Sequence, residues 1–565
     1  MKKSCYIDLM EKTLAAYSTE HIVRYFNDVK RDGLTEHGFP RLTANIGILM
    51  AHGRRLDLKE LFADMMDLCC QQIPEPRKAE FKPANDFSVK EIVFCLQELE
   101  NSSVFSVEKM TEWKNLLRTI DPYTCYNVYA DSENAVVYNW AAFTAVSEYM
   151  RQVFGLSDGY ADFIDLQAFS QMRHLDEDKL YRDPNEPMVY DLVTRGLFAV
   201  LLDQGYQGKY RKFWEDALDA AAEPTLMMQS VSGEIAYGGR SNQFIHNEAH
   251  QALLLEYYAK RYIAKGDVRS AGICKAGVER AVENMAAWLS QNPVTHVKNK
   301  FPIDSGYGCE VYAYFDKYMI TAASFLYTAY RLCDDGIAVG VLDDVSGKSW
   351  QTSEYFHKLF LRAGEYFAEY DYRADFHYDC NGLGRLHKKG APSELCISTP
   401  CPSEPLYSLD IEKPALLAIA PGICSGSEWI YGTAEDVRHQ VKKHSSAGET
   451  AAAEVECVFP NGETVTSCFS LDRDGLQMKI SGAGALRCLL PVFRFNGKEY
   501  THVTLNGNTL EVSYNGYCCR YTVSGGEIID LKSAARNRNG HYDTFAAEGK
   551  DTLTVQITIE KMGCR

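Results

Sequence analysis

Between residues 237 and 250 the chain reads YGGRSNQFIHNEAH, and between 304 and 319 it reads DSGYGCEVYAYFDKYM. The first segment sets an arginine, amides and two imidazoles just where an apolar helical stripe, continued by Leu253 and Tyr257, begins. Buried polar groups of this kind are costly unless they pair with each other or with a ligand. Asn242, His246 and His250 recur at four-residue spacing, which lays them on one face of an expected helix. A helix N-terminus there favours an anion, and Arg240 adds positive charge. The bland reading is a capped helix start with histidines satisfied in the core. In the second segment Tyr307 sits on a turn entering a helix, with Glu310, Tyr312, Tyr314 and Tyr318 behind it. Most of that stripe reads as packing, but a loop-to-helix position frees the Tyr307 hydroxyl for a cleft. His250 and Tyr307 are 57 positions apart (307 − 250), about one helical hairpin, so neighbouring helices are expected to bring them together.

A zinc reading fails on spacing. His246 and His250 have the i, i+4 interval of a metalloprotease helix, but that motif needs a glutamate directly after the first histidine. Asn247 stands there, and Glu248 points elsewhere. No third ligand is evident, so no metal and no other cofactor is expected. The 18 cysteines contain no CxxC pair and read as structural thiols. Three further stretches could reach a cleft. Asn139-Trp140 offers a stacking surface for a ring, with a core tryptophan as the plain alternative. YRDPNEPMVYD (181–191) is a polar loop entering a helix and carries Tyr190. HYDCNGLGRLHKKGAPSELC (377–396) contributes His377, Arg385 and His387 close to an expected domain junction, where clefts form.

These residues need elements to hold them. At 565 residues the chain exceeds a single core and calls for two or more domains. Up to about Tyr370 apolar residues recur every three or four positions, as in the stretches 139–156, 188–206, 250–266, 269–291, 318–333 and 353–370. On the order of a dozen helices in successive hairpins fit a closed toroid or a solenoid, and no fixed-period repeat supports the solenoid. Beyond that point short alternating runs take over, with Asn-Gly at 461, 496, 506, 515 and 539, a strong hairpin signal. The expected architecture is α+β and multidomain: residues 1–370 an (α/α) toroid carrying the site, residues 371–565 an antiparallel β-sandwich.

A net charge of −17 argues against nucleic acid or an anionic membrane as partner. It leaves room for an anionic small substrate held by a local cluster of Arg, Asn and His. An assembly of identical chains is allowed. The start MKKSCYIDLMEKTLAAYS lacks the apolar core of an export signal, so a cytoplasmic protein is expected.

Taken together, RSNQFIHNEAH and DSGYGCEVYAYFDKYM resemble elements of the heparinase II/III-like polysaccharide lyases, which join a helical toroid to an antiparallel sandwich. The resemblance implies that Asn242 or Asn247 neutralises a uronate carboxylate, with His246 or His250 beside it. It makes Tyr307 the acid or base and takes a further histidine, His377 or His387, from the sandwich. Arg240, Asn139, Trp140, Tyr190, Glu310, Tyr314, Arg385 and His387 are then candidates for substrate binding. The implied reaction is metal-independent β-elimination on a uronate-containing oligosaccharide, by an exo-acting enzyme. The sequence departs from the family in lacking a compact Asn-Asn-His-Gly element. Hydrolysis of glucuronides is the rival, since toroids with appended sandwiches also host glycoside hydrolases. It would draw a carboxylate pair from Glu234, Glu248, Glu310, Asp304 and Asp191. A non-catalytic glycan binder would need no such pair.

Overall fold

The structure, a computed structural model, describes residues 2–76 and 85–563. Six helices form a closed ring: Gly38–Ala51, Asn85–Glu100, Trp140–Val153, Met188–Asp203, Asn247–Ala264 and Phe315–Leu332. Each packs on the next, and the last returns to the first. A second layer lies outside them. Lys59–Gln72, Ala161–Met172, Arg211–Ala220 and Val268–Trp288 each back one inner helix, and Ser4–Leu14 backs Phe315–Leu332 and touches Gly38–Ala51. Composition explains the division. Gly38–Ala51 is buried from Gly38 through Met50, whereas Arg211–Ala220 buries only Trp214, Ala217 and Leu218. A helix apolar all round belongs inside, and one with a narrow apolar stripe belongs on the surface.

Close approach within the ring rests on Gly47. A β-carbon there would lie 2.4 Å from Cys95 Sγ and 2.6 Å from the Phe62 ring. Among the described residues no helix is long and apolar enough to cross a membrane.

The helical run ends at Leu332, and the first strand opens at Lys348. Strands Lys348–Gln351, Lys358–Ala363, Tyr366–Asp371 and Gly382–Lys388 make a four-stranded antiparallel sheet. The helix expected over 353–370 is therefore a β-hairpin, and strand structure begins well before residue 370. The physical reason is two-sided burial: Lys358–Ala363 and Tyr366–Asp371 are buried at every position. One face packs Phe360 and Phe367 against Met188 and Met228 of the toroid. The other packs Leu359, Leu361 and Ala368 into the sandwich core. A strand covered on both sides shows no alternation and cannot be told from a buried helix by periodicity.

A ten-stranded antiparallel sheet covers the second face. Its centre is three long strands, Gly475–Phe495, Tyr517–Asn537 and Gly540–Lys561. Each Asn-Gly pair lies at a strand junction, as the hairpin signal requires. Thr450–Val458 alternates strictly between buried and half-buried positions, the pattern of a sheet with one face on a core.

Gly47→Val should overpack the contact between the first two inner helices and cost about 2 kcal/mol. Urea unfolding measures this; an unchanged midpoint would mean that Gly47 does not set their spacing.

Candidate active site at the open end of the toroid

The six inner helices run in one direction, and their first turns surround a cavity of about 340 Å³. His37 and Arg41 come from Gly38–Ala51, Phe87 from Asn85–Glu100, and Asn139 and Trp140 from the start of Trp140–Val153. Tyr190 comes from Met188–Asp203, His246 and His250 from the start of Asn247–Ala264, and Lys317, Tyr318 and Thr321 from Phe315–Leu332. Helix N-termini carry partial positive charge, so six of them favour an anion between them. The side chains agree. Arg41, Arg240 and Lys317 line the cavity, and Glu36 is the one acid among the described lining residues.

Arg240 is held by the 183–187 loop. It donates to Pro184 O at 2.6 Å and pairs with the buried Asp183, which also accepts from Asn139 Nδ2. Its guanidinium lies 4.7 Å from the Tyr190 ring centre. Arg41, 1 % exposed, bonds Thr321 Oγ1 at 2.9 Å and His37 Nδ1 at 3.0 Å. Burial pulls its pKa down, so an anion in the cavity stabilises its charge.

Ser241 is the hub of the site. Its hydroxyl lies 3.1 Å from Tyr190 Oη, 3.2 Å from Tyr312 Oη and 3.3 Å from Tyr318 Oη. The serine backbone is left-handed, with φ +59°. Glu310 holds it there: Oε1 accepts from Ser241 N–H at 2.6 Å, and both carboxylate oxygens are gripped by Arg538 from the sandwich at 2.6 and 3.0 Å. Burial raises the Tyr312 and Tyr318 hydroxyls well above the ordinary phenol value, so both stay protonated.

His246 and His250 meet edge to face, with ring centres 5.7 Å apart. Burial, then Arg41 and other nearby cations, lowers His246 to about 3. Burial, with His246 and Arg41 behind it, lowers His250 as well. Both rings are therefore neutral, and their Nδ1 atoms are buried without a hydrogen-bond partner among the described residues.

Of the residues singled out in the sequence, Arg240, His246, His250, Asn139, Trp140 and Tyr190 line one cavity. The others do not. The helix starts at Asn247, after left-handed Ser241 and Gln243, so Asn242 shares no helical face with the histidines. Its Oδ1 instead accepts from Gln243 N–H at 2.8 Å. Asn247 is buried behind the cavity and donates to Ser241 O at 3.2 Å. Tyr307 is a correction. It stacks on Phe301 at 3.6 Å and donates to Gly540 O at 3.1 Å, because the 303–306 turn delivers it to the sandwich. Tyr314 is 44 % exposed and does not line the cavity. Glu310 positions Ser241 and does not line the cavity either.

The three sandwich candidates are also elsewhere. His377 is exposed, with Nδ1 3.3 Å from Glu404 O. Arg385 is buried against Glu369 and Glu234, at 3.1 and 3.5 Å. His387 contacts Ser230 and Ser232 at 2.7 and 3.0 Å, and burial lowers it to about 3. Arg385 and His387 belong to a polar seam between toroid and sandwich.

His37, Arg41 and Thr321 escaped notice in the sequence. The one signal for His37 and Arg41 is an arginine four residues after a histidine in HGFPRLTANIGILMA, a mostly apolar helix.

No protein-family model and no curated protein matches the chain. Among solved structures, heparinase III matches 92 % of this chain and 77 % of its own at 10 % identity and a TM-score of 0.51. The chain is similar in fold to heparinase III. A mutant heparan sulfate lyase from Pedobacter heparinus matches at 9 % identity over 93 % of this chain and 77 % of its own, with a TM-score of 0.46. A family 88 glycosyl hydrolase from Bacteroides vulgatus matches at 13 % identity over 59 % of this chain and 99 % of its own, at 0.36. The likeness to heparinase III supports the toroid-plus-sandwich architecture and says nothing by itself about chemistry.

Arg538→Met would leave Glu310 buried and unpaired and should cost about 3–5 kcal/mol. Denaturant unfolding checks the loss. A cost below about 1 kcal/mol would mean that the pair is not what anchors Ser241.

Proposed function

We propose that the chain is a carbohydrate-active enzyme that cleaves uronate-containing oligosaccharides by metal-independent β-elimination in the toroid cavity. The observation that carries this reading is the convergence of six helix N-termini, Arg41, Arg240, two neutral imidazoles and three linked phenols on one cavity. The fold shared with heparinase III supports it by analogy.

Elimination removes the proton on the carbon beside the uronate carboxylate, where negative charge builds up. Fixed positive charge aimed at that carboxylate lowers the barrier, the electrostatic term that dominates in many enzymes. Arg41 and Arg240 supply it, with the helix ends behind them. A general base must be unprotonated and face the cavity. His246 and His250 meet both conditions, and a bound anion raises their proton affinity from its depressed value at the moment it is needed. The leaving oxygen needs a proton. Tyr312 or Tyr318, kept neutral by burial, can donate it, and Ser241 can pass a replacement among the three hydroxyls.

A specific observation disfavours hydrolysis. Glycosidases need two carboxyl groups flanking the bond, yet the candidate acids are engaged elsewhere. Asp191 pairs with Arg195, Glu310 with Arg538, and Glu248 with Lys298 at 2.6 Å. Glu234 lies 3.5 Å from Arg385 and 3.6 Å from Lys298, and Asp304 is exposed.

Incubation with glucuronate, iduronate and mannuronate oligosaccharides should produce the ultraviolet absorbance of an unsaturated uronate. New reducing ends without that absorbance would identify a hydrolase. His250→Ala and Tyr318→Phe should each lower kcat by about 100-fold or more. Tyr307→Phe should stay within about threefold of wild type, its cost being one hydrogen bond of about 1 kcal/mol to the sandwich. The acidic limb of kcat/KM reports the free enzyme's base. With His246 near 3, that limb should fall well below the ordinary histidine value of about 6.5. A limb at 6.5 would show that the base is a solvated group instead.

A further inference from the structure

A groove of about 650 Å³ opens on the sandwich, away from the cavity. Its walls are the 351–357 turn, the 372–381 loop and the start of the strand Arg438–Ala447. His357 lines it. That side chain is fully buried, and neither ring nitrogen has a hydrogen-bond partner among the described residues. Leaving a buried imidazole unpaired on both nitrogens is costly. Its backbone is also left-handed, with φ +55°.

Behind the groove lining, beside His357, lies Glu186, left-handed at +57° and preceded in the chain by Asn185 at +67°. Glu186 Oε1 lies 3.7 Å from His357 Nε2 and 3.9 Å from Arg373, both beyond hydrogen-bonding distance. Burial, with Asp371 adding to it, pushes the Glu186 carboxyl up to about 7, while His357 falls to about 3. The two therefore do not form an ion pair near neutrality. Two strained residues, one with an unsatisfied ring, meet there, a concentration typical of a site where a ligand completes the set.

We propose that this groove is a second, non-catalytic binding site for an acidic saccharide unit. A sugar hydroxyl both donates and accepts. One placed about 2.8 Å from His357 Nε2 and from Glu186 would fit across the 3.7 Å gap. Glu186, 26 % exposed, is the member free to swing and admit it. The ring of Tyr372, whose hydroxyl accepts from Gln351 at 3.0 Å, and that of Phe376 give faces for a pyranose. Arg373, 68 % exposed, and Arg438 offer guanidinium groups for an acid. Glu354 and Glu435 on the rim offset them, which suits a sugar with a single carboxylate over a densely charged chain.

The groove is also one loop away from the cavity. Pro184 O holds Arg240, and Asn185 and Glu186 follow directly. The site does not depend on whether the cavity performs elimination or hydrolysis.

The test is calorimetric titration of a glucuronate-containing tetrasaccharide into His250→Ala protein, in which cleavage is suppressed. Two binding events are expected. Adding Tyr372→Ala and Arg373→Ala should weaken one of them by at least about tenfold. The same pair of changes in the otherwise wild-type chain should leave cleavage of a glucuronate disaccharide unchanged. A thermal melt confirms folding, and Arg438→Ala alone serves as a milder second variant. A single event untouched by both variants overturns the proposal. Binding of a neutral tetrasaccharide in place of the acidic one overturns its acidic character. Failure of the catalytic reading appears separately, as missing ultraviolet absorbance with either stoichiometry.

Discussion

The Glu310 carboxylate is the pin of this molecule. It lies at the junction of toroid and sandwich, 3 % exposed, and is shared between the Ser241 amide and the Arg538 guanidinium. Through Ser241 it sets the position of the hydroxyl on which three tyrosines converge. Through Arg538 it ties that position to the turn between two long sandwich strands. A buried pair of this sort is weak evidence for stability, since a hydrophobic replacement often does as well. Its value here is geometric. A serine at φ +59° persists only where its surroundings over-determine it, and the second domain supplies that constraint.

The ring of helices adds a field that no single residue accounts for. The chain as a whole carries −17, yet the cavity collects helix N-termini, Arg41, Arg240 and Lys317 against one acid. At the other end of the toroid, where the inner helices finish, a depression mixes Glu98 and Glu100 with Lys3 and Arg331. The polarity follows from connectivity. Between successive inner helices the chain returns along the outside of the ring, so all six inner helices point the same way and their dipoles add at one mouth. Overall charge and local field are independent quantities.

Burial shapes the chemistry as much as charge does. His246 and His250 are kept neutral because solvent is excluded and Arg41 is close, and the phenols stay protonated for the first of these reasons. The cavity thus presents neutral imidazoles able to accept a proton and neutral phenols able to donate one.

Much of this was legible in the chain itself. Five inner or outer helices follow from three- and four-residue apolar spacing, and the sandwich hairpins follow from Asn-Gly pairs between alternating runs, because both signals are local. The same holds for Arg240, His246, His250, Tyr190, Asn139 and Trp140, whose polarity stands out against apolar surroundings. Other features depended on contacts distant in sequence. The strands over 358–371 looked helical because two different layers cover their faces. Tyr307 looked available because its position on a turn said nothing about Phe301 or Gly540. Arg41 lies 199 positions before Arg240 (240 − 41), and nothing short of ring closure could place both on one cavity. Sequence determined which segments are helix or hairpin and which side chains are chemically out of place. Tertiary structure alone decided which of them face the same empty space, since that depends on closing a ring and docking a second domain against it.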